Sequence, residues 1–204
     1  MKHILTIIIL GLSFSAIASL ETRPDPGGWV SRDGSRVPNR DNMKSVNGFG
    51  GWLVVTPDKD WEQKWETPPE NIPHFSEASE VSYGEQLTIL TFYINPKLND
   101  AGEFNLSCDI KVTRPDGSFS INAKDYDCGS GKLMGNPRNI RLAPTVIKYI
   151  GESGDLPGKW IVEVNIIDNI RRTKIPLKTS FNLGKEKANK QLNSDGVKNT
   201  PPVN

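Results

Sequence analysis

Histidine is nearly absent from this chain, which has two among its 204 residues. One of them, His3, lies in an N-terminal segment that we expect to be removed, so His74 would be the only imidazole of the mature chain. Ser-His-Asp and Cys-His catalysis need a histidine base, and the G-x-S-x-G nucleophile pattern is missing as well. His74 follows Pro73, which indicates a loop position. The sequence therefore predicts no catalytic residues, and we expect a protein that is not an enzyme.

Metal ligands are similarly scarce. One histidine and two cysteines do not supply the three or four ligands that a zinc site normally takes. The segment 125–131 places two carboxylates beside glycines, but it lacks the alternating oxygen ligands and closing Glu of a calcium loop. We expect neither a metal site nor a cofactor.

The chain has little net charge. It contains 25 basic and 24 acidic residues, and loss of Lys2 with the N-terminal segment would leave 24 of each. Proteins that bind nucleic acid or an anionic membrane surface normally carry a basic excess. The balance therefore argues against a nucleic-acid partner.

Long apolar runs are confined to the N-terminus. The basic Lys2 precedes an apolar run at 4–12, and residues 16–18 give a small-x-small cleavage pattern. This run is too short for a membrane-spanning helix, which needs about 20 apolar residues. Residues 1–18 are therefore predicted to be a cleavable signal peptide. The mature protein is expected in the periplasm or outside the cell, without a membrane span.

The chain has only two cysteines, Cys108 and Cys128. In an exported protein this even number predicts a single disulfide, with two separate thiols as the alternative. The clearest turn of the sequence lies at 114–117, where Pro115 presets φ and Gly117 can adopt a positive φ. If that turn is tight, Cys108 lies opposite position 123. Cys128 would then have to curl back for the two Cα atoms to come within about 7 Å.

Short runs rich in β-branched and aromatic residues, bounded by turn signals, fill the middle of the chain. This pattern predicts an all-β, antiparallel sandwich. The run 86–94 is apolar in both alternating sets, so it should be covered on both faces or central in its sheet. The run 161–166 alternates, which indicates one buried and one solvent-facing side. The predicted strands are 49–55, 85–94, 104–113, 118–126, 141–150, 159–167 and 173–183.

The two ends differ in composition from the middle. Residues 19–47 and 184–204 are rich in polar residues, Pro and Gly, and they are poor in apolar residues. We expect a flexible N-terminal arm at 19–47, a β-sandwich domain at 48–183 and a disordered C-terminal tail at 184–204.

One segment breaks the β pattern. Thr56 can cap a helix, Pro57 suits the first helical position, and Trp61 and Trp65 share a helical face. The spacing predicts a helix of about two to three turns that ends before Pro68.

The tryptophans are the best lead to a binding surface, because indoles fill protein hot spots and stack on sugars. Trp52 and Trp160 lie on predicted strands and are expected in the core. Trp61 and Trp65 form either a recognition surface or a cover over one end of the sandwich. Trp29 lies in the arm and is expected to be exposed to solvent or to dock elsewhere.

The segment 156–168, a Pro-Gly turn followed by an alternating strand that ends in Asp, resembles the immunoglobulin-like β-sandwiches of secreted bacterial proteins. The resemblance covers residues 81–183 and concerns architecture rather than a site. The chain departs from the antibody type, because no Trp lies between Cys108 and Cys128. Such modules mostly bind or space other molecules, so the resemblance implies a binding role.

These observations support a first hypothesis, an exported non-enzymatic module that binds another envelope or extracellular protein as an inhibitor, immunity-type protein or adaptor. Its contact surface would be a sheet edge, the end loops or the surface of Trp61 and Trp65, with Trp29 as a further candidate. A second hypothesis is a carbohydrate- or peptidoglycan-directed protein that uses exposed Trp and carboxylates. The oligomeric state stays open.

Overall fold

The computed structural model describes residues 28–31, 33–67 and 73–184. These residues form two five-stranded β-sheets, and the predicted all-β sandwich is confirmed. The predicted signal peptide at 1–18 lies outside the described residues, as does the predicted tail after Gly184.

The described part of the chain contains ten strands and one short helix. Nowhere in these ranges does a helix have the length and apolar character of a membrane span. The elements in chain order are β1 (Met43–Val46), β2 (Phe49–Thr56), α1 (Trp61–Trp65), β3 (Glu80–Val81), β4 (Gln86–Ile94), β5 (Glu103–Thr113), β6 (Phe119–Lys132), β7 (Arg141–Leu142), β8 (Ile147–Ile150), β9 (Gly158–Asp168) and β10 (Thr173–Leu183).

Sheet 1 has the strand order β1-β2-β4-β7, and β8 also pairs with β4. Sheet 2 has the order β3-β10-β9-β5-β6. All pairs are antiparallel except β3 with β10. β4 is therefore central in sheet 1, and it is buried along almost its whole length, as its two apolar alternating sets predicted.

Most predicted strands lie within a few residues of their observed bounds. The exceptions are β6, which continues to Lys132, and the run 141–150, which divides into β7 and β8. Between these two strands Ala143 is buried and donates its N–H to the carbonyl oxygen of Thr91 at 2.8 Å. Pro144 follows and has no N–H to continue the ladder.

Part of the segment expected to be a flexible arm belongs to sheet 1. β1 pairs with β2, with Met43 opposite Trp52 and Val46 opposite Phe49. Asn47 and the next residue, a glycine, both have positive φ and form the two-residue connecting turn. The domain therefore begins before residue 48, and this Asn-Gly pair was the sequence signal for the hairpin.

The main core lies between the sheets. Along β9 the buried side chains of Trp160, Val162, Val164 and Ile166 alternate with partly exposed ones, so the one-sided pattern is confirmed. Gly51 on β2 faces this layer, and a Cβ at that position would lie 3.0 Å from Cγ2 of Ile166. The glycine thus permits a close approach of the two sheets.

The disulfide between Cys108 and Cys128 is present and buried, with Cα atoms 5.7 Å apart. The expected register was wrong, because Ala123 pairs with Ile110, and Cys108 pairs with Tyr126. Bulges give β6 more residues than β5 over the same length of ladder, and Cys128 is the extra residue of the bulge opposite Leu106 and Ser107. A buried disulfide is typical of proteins from oxidising compartments.

The predicted turn at 114–117 is also present. The N–H of Gly117 donates to the carbonyl oxygen of Arg114 at 3.0 Å. Gly117 has a φ of 86°, in the region that glycine adopts without strain.

A buried carboxylate joins three loops at one end of the sandwich. Asp168, fully buried, accepts hydrogen bonds from the N–H of Lys97 at 2.7 Å and the N–H of Arg171 at 2.8 Å. The Arg171 guanidinium contacts the same carboxylate at 3.3 Å and also donates to the carbonyl oxygens of Asn47 and Asn95. One ion pair thus holds the β1–β2, β4–β5 and β9–β10 connections together.

Replacing both cysteines by serine should lower the free energy of unfolding by about 3 kcal/mol, because the disulfide restricts the unfolded chain. Urea unfolding of the double variant beside the oxidised parent protein measures this difference. In the parent protein, thiol labelling under denaturing, non-reducing conditions should find no free thiol. Two labelled thiols per chain would contradict the bridge.

Candidate functional site

Aromatic side chains cover the outer face of sheet 1, the face turned away from sheet 2. Phe92 on β4 is at their centre and is fully buried. The rings of Trp52, Trp65 and Phe75 lie 5.3, 5.4 and 5.5 Å from the ring of Phe92, measured between centroids. We call this group the outer aromatic cluster; its members are Trp29, Trp52, Trp61, Trp65, Phe75 and Phe92, with Val54 and Leu90 beneath them.

Trp29 docks onto sheet 1 and is not exposed to solvent, since only 7% of its surface is accessible. Its indole N–H lies 3.1 Å from the carbonyl oxygen of Lys44 and 3.2 Å from that of Gly51, and donates to both. Its ring lies edge-on to Trp52 at 6.3 Å. Gly50 makes room for it, because a Cβ there would lie 3.0 Å from the indole nitrogen.

The helix α1 is shorter than predicted. It spans Trp61–Trp65 and follows Asp60 as the N-cap residue, whereas Thr56 ends β2 and pairs with β4. Trp61 is 7% exposed and Trp65 is half-buried. Both indoles pack on the outer face of sheet 1, not over an end of the sandwich as expected.

Asp58 fastens α1 to the segment that carries Phe75. Its Oδ2 accepts hydrogen bonds from Nζ of Lys64 at 2.7 Å and from the N–H of Ser76 at 2.9 Å. Desolvation acts to raise the pKa of this carboxyl, but the bonds from Lys64 and Ser76 outweigh it and lower the pKa from 3.8 to about 2. Asp58 is therefore charged at neutral pH and holds the two parts of the cluster against sheet 1.

The structure thus brings together the three tryptophans that the sequence suggested as binding residues, Trp29, Trp61 and Trp65. Trp29 and Trp61 are buried, and Trp65 keeps part of its indole accessible. Trp61 and Trp65 pack with Phe92 in a second, small core, and Trp29 is joined to it through Trp52. The arrangement explains these residues as a cover that seals one face of the sandwich.

The outer face of sheet 2 is open and polar. A cleft of about 430 Å³ crosses β10, β9, β5 and β6, and the loop before β1 borders it. We call it the sheet 2 cleft. Five lysines line it, together with three carboxylates and two asparagines; the lysines are Lys44, Lys111, Lys124, Lys174 and Lys178.

Each carboxylate of the sheet 2 cleft lies close to a lysine. The Nζ to carboxylate distances are 2.6 Å for Lys111 with Glu163, 2.9 Å for Lys174 with Asp109, and 4.0 Å for Lys44 with Asp41. Strand register places Lys178, Glu163 and Lys111 in one row across β10, β9 and β5. A single carboxylate in this row therefore stands between two lysines.

Asp109 connects the cleft to an irregularity in β6. The hydrogen bond from Lys174 lowers the pKa of Asp109 below 3.8, against a smaller opposing effect of desolvation. The N–H of Asp125 also donates to this carboxylate at 3.3 Å. Asp125 has a φ of 53° and follows Lys124 in the β6 bulge, so Asp109 stabilises the backbone that presents Lys124.

Phe119 lies beside the cleft and is 51% exposed. The centroid of its ring is 5.8 Å from Nζ of Lys111. Within the described residues, neither Lys124 nor Lys178 is in an ion pair. Sequence reasoning missed this site; the alternation at 161–166 indicated a polar outer face but not its neighbours on other strands.

Metal-binding geometry is not found in the described ranges, where no group of three or more His, Cys, Asp or Glu side chains is arranged to hold an ion. His74 is exposed.

No family model and no curated protein matches this chain. Similar solved structures include the alkylpurine DNA glycosylase AlkC of Pseudomonas fluorescens bound to DNA with an abasic site analog, at 14% identity and a TM-score of 0.36, over 65% of this chain and 29% of that one. A family 123 glycoside hydrolase from Clostridium perfringens is 9% identical with a TM-score of 0.36, over 65% of this chain and 27% of that one. A Niemann-Pick type C2 protein from Japanese carpenter ant is 9% identical with a TM-score of 0.33, over 64% of this chain and 88% of that one.

This chain therefore spans less than a third of the length of the first two proteins. The three are of different kinds and resemble it only weakly. Their activities are not attributed to it.

Trp61→Ala should lower the free energy of unfolding by about 3 to 5 kcal/mol, because it removes a buried indole from the outer aromatic cluster. Met134→Ala is the control, since Met134 is 74% exposed, and it should change stability by less than about 0.5 kcal/mol. Thermal and urea unfolding of both variants gives the comparison. An unchanged melting temperature for Trp61→Ala would show that the cluster is not a stabilising cover.

The stabilisation from Asp58 should disappear in acid. The folded-state pKa is lowered from 3.8 to about 2, so this contribution is present above about pH 4 and is lost as the pH falls towards 2. Asp58→Asn should cost about 1.5 to 3 kcal/mol at pH 7, because it weakens charged hydrogen bonds.

Urea unfolding of the parent and Asp58→Asn proteins at pH 7, 4 and 2.5 tests this. The difference between them should shrink at the lowest pH. Asp41→Asn is the control, since that carboxylate is 88% exposed and lies 4.0 Å from its lysine. A difference that stays constant with pH would contradict the assigned role.

Proposed function

We propose that this chain is an exported, non-enzymatic module that binds another protein of the bacterial envelope or cell exterior through the outer face of sheet 2. The contrast between the two outer faces carries the proposal. The outer aromatic cluster covers sheet 1, whereas sheet 2 presents an open cleft of about 430 Å³. Because a second, small core covers the outer face of sheet 1, the outer face of sheet 2 is the broad surface that stays open to a partner.

The composition of the sheet 2 surface supports a protein partner. Exposed Phe119 gives an aromatic side chain that can anchor a contact, and the polar cleft beside it resembles the rim of a protein interface. Phe119 and all five lysines of the sheet 2 cleft lie on hydrogen-bonded strands, namely β1, β5, β6 and β10. Little conformational entropy would be lost when such a surface binds.

The edge of sheet 2 is less suited to binding by strand addition. β6 has one pairing partner, β5, in the described structure, and its register shifts at three places. Bulges on an edge strand disfavour pairing with another chain. The face of the sheet is therefore the better candidate than its edge.

Two further observations favour this role. The buried disulfide supports export, since such bonds persist in oxidising compartments. The resemblance to immunoglobulin-like modules, which mostly bind or space, agrees with a non-enzymatic function. The choice between inhibitor, immunity-type protein and adaptor depends on the partner.

The alternative, a carbohydrate- or peptidoglycan-directed protein, has less support. It relied on exposed tryptophans, and Trp29 and Trp61 are buried. The carbohydrate hypothesis also relied on carboxylates. Each carboxylate of the sheet 2 cleft lies within 4.0 Å of a lysine, so these carboxylates already have partners.

Site-specific photocrosslinking in cells that export the protein tests the proposal. A benzophenone amino acid at position 119 should give a discrete crosslink to a protein. The same group at position 150 on sheet 1 should not, although Ile150 is 49% exposed and Phe119 51%. Equal crosslinking from both positions, or none from 119, would contradict binding through sheet 2. A crosslink to polysaccharide would favour the alternative.

A further inference from the structure

The charges of the sheet 2 cleft do not cancel. Its lining contains five lysines and three carboxylates. Each carboxylate already has a lysine within 4.0 Å. Two lysines are left over, Lys124 on β6 and Lys178 on β10, and neither is in an ion pair within the described part of the chain. The cleft therefore has an excess of two positive charges, although the mature chain as a whole is predicted to be neutral.

From this excess we infer that the cleft receives an acidic segment of a polypeptide, whose carboxylates pair with Lys124 and Lys178. The inference rests on the proposed function and names the chemistry of the partner. Complementary charge of this kind steers association and selects among partners.

The spacing of the two lysines fits an extended chain. Lys178 and Lys124 are three strands apart across the sheet, and Lys124 lies two residues beyond Asn122, the residue opposite Lys111. With neighbouring strands about 4.8 Å apart, the two positions are separated by roughly 15 Å. An extended polypeptide covers this distance in about four to five residues. Acidic residues at that spacing would meet both lysines.

The rest of the lining favours a peptide over an acidic polysaccharide. Asn122 and Asn165 offer amide groups that can donate to and accept from a peptide backbone. Among the described residues, none of those that line the cleft is an aromatic on which a sugar ring could stack. Phe119 stands at the margin instead, where an apolar side chain of the peptide would pack.

Binding of a fluorescently labelled decamer of glutamate to the mature protein, followed by anisotropy, tests the inference. Affinity should fall as salt rises, because these lysines are accessible to solvent. Oligogalacturonate of the same length and inorganic phosphate are run in parallel. The glutamate decamer should bind more tightly than either.

Charge-removing variants locate the site. Lys124→Gln and Lys178→Gln should each weaken binding of the glutamate decamer about three-fold, and the double variant about ten-fold. Lys148→Gln is the matched control, because Lys148 is exposed on β8 in sheet 1, and it should leave the affinity unchanged. Melting temperatures of all variants should match the parent protein, since the substitutions are on the surface.

Three results would overturn the inference: no binding of the decamer, equal loss with Lys148→Gln, or tighter binding of oligogalacturonate or phosphate. Each is independent of the crosslinking experiment. A crosslink from position 119 without decamer binding would leave the proposed function in place and remove the acidic partner. Binding of the decamer without a crosslink from position 119 would leave an acidic-peptide site without the proposed envelope partner.

Discussion

The rest of this structure depends on one constraint, which is that sheet 1 is apolar on both faces. Alternate residues of β2 and β4 point to opposite sides, and both sets are buried. One set packs against sheet 2. The other would expose a large apolar surface in water, so it requires a second cover. The outer aromatic cluster provides that cover.

Several local features follow from this requirement. Gly50 and Gly51 leave space on both sides of β2, for Trp29 on the outer face and for Ile166 on the inner one. Asp58 ties α1 to the segment of Phe75 with charged hydrogen bonds. The covering segments have little regular structure of their own, and they are ordered through contacts with sheet 1. Because the outer face of sheet 1 is covered in this way, the polar outer face of sheet 2 is the surface that we propose for binding.

One end of the sandwich is organised by polar links. Asp168 and Arg171 connect loops from both sheets, and the disulfide holds β6 to β5 across a bulged register. A bulge in β6 places Lys124 in the lining of the sheet 2 cleft. The features that stabilise sheet 2 therefore also shape its surface.

The amino-acid sequence by itself determined most of the strands, the turn at Gly117, the double burial of β4 and the single solvent face of β9, because each follows from side-chain alternation or local backbone preference. It also contained the disulfide pair. Only the tertiary structure decided that Trp29 docks on sheet 1 and that α1 is one turn long. The same holds for the row of Lys178, Glu163 and Lys111, which comes from three strands. These outcomes depend on contacts between residues far apart in the chain, and no local periodicity encodes which strands become neighbours or how bulges shift their register.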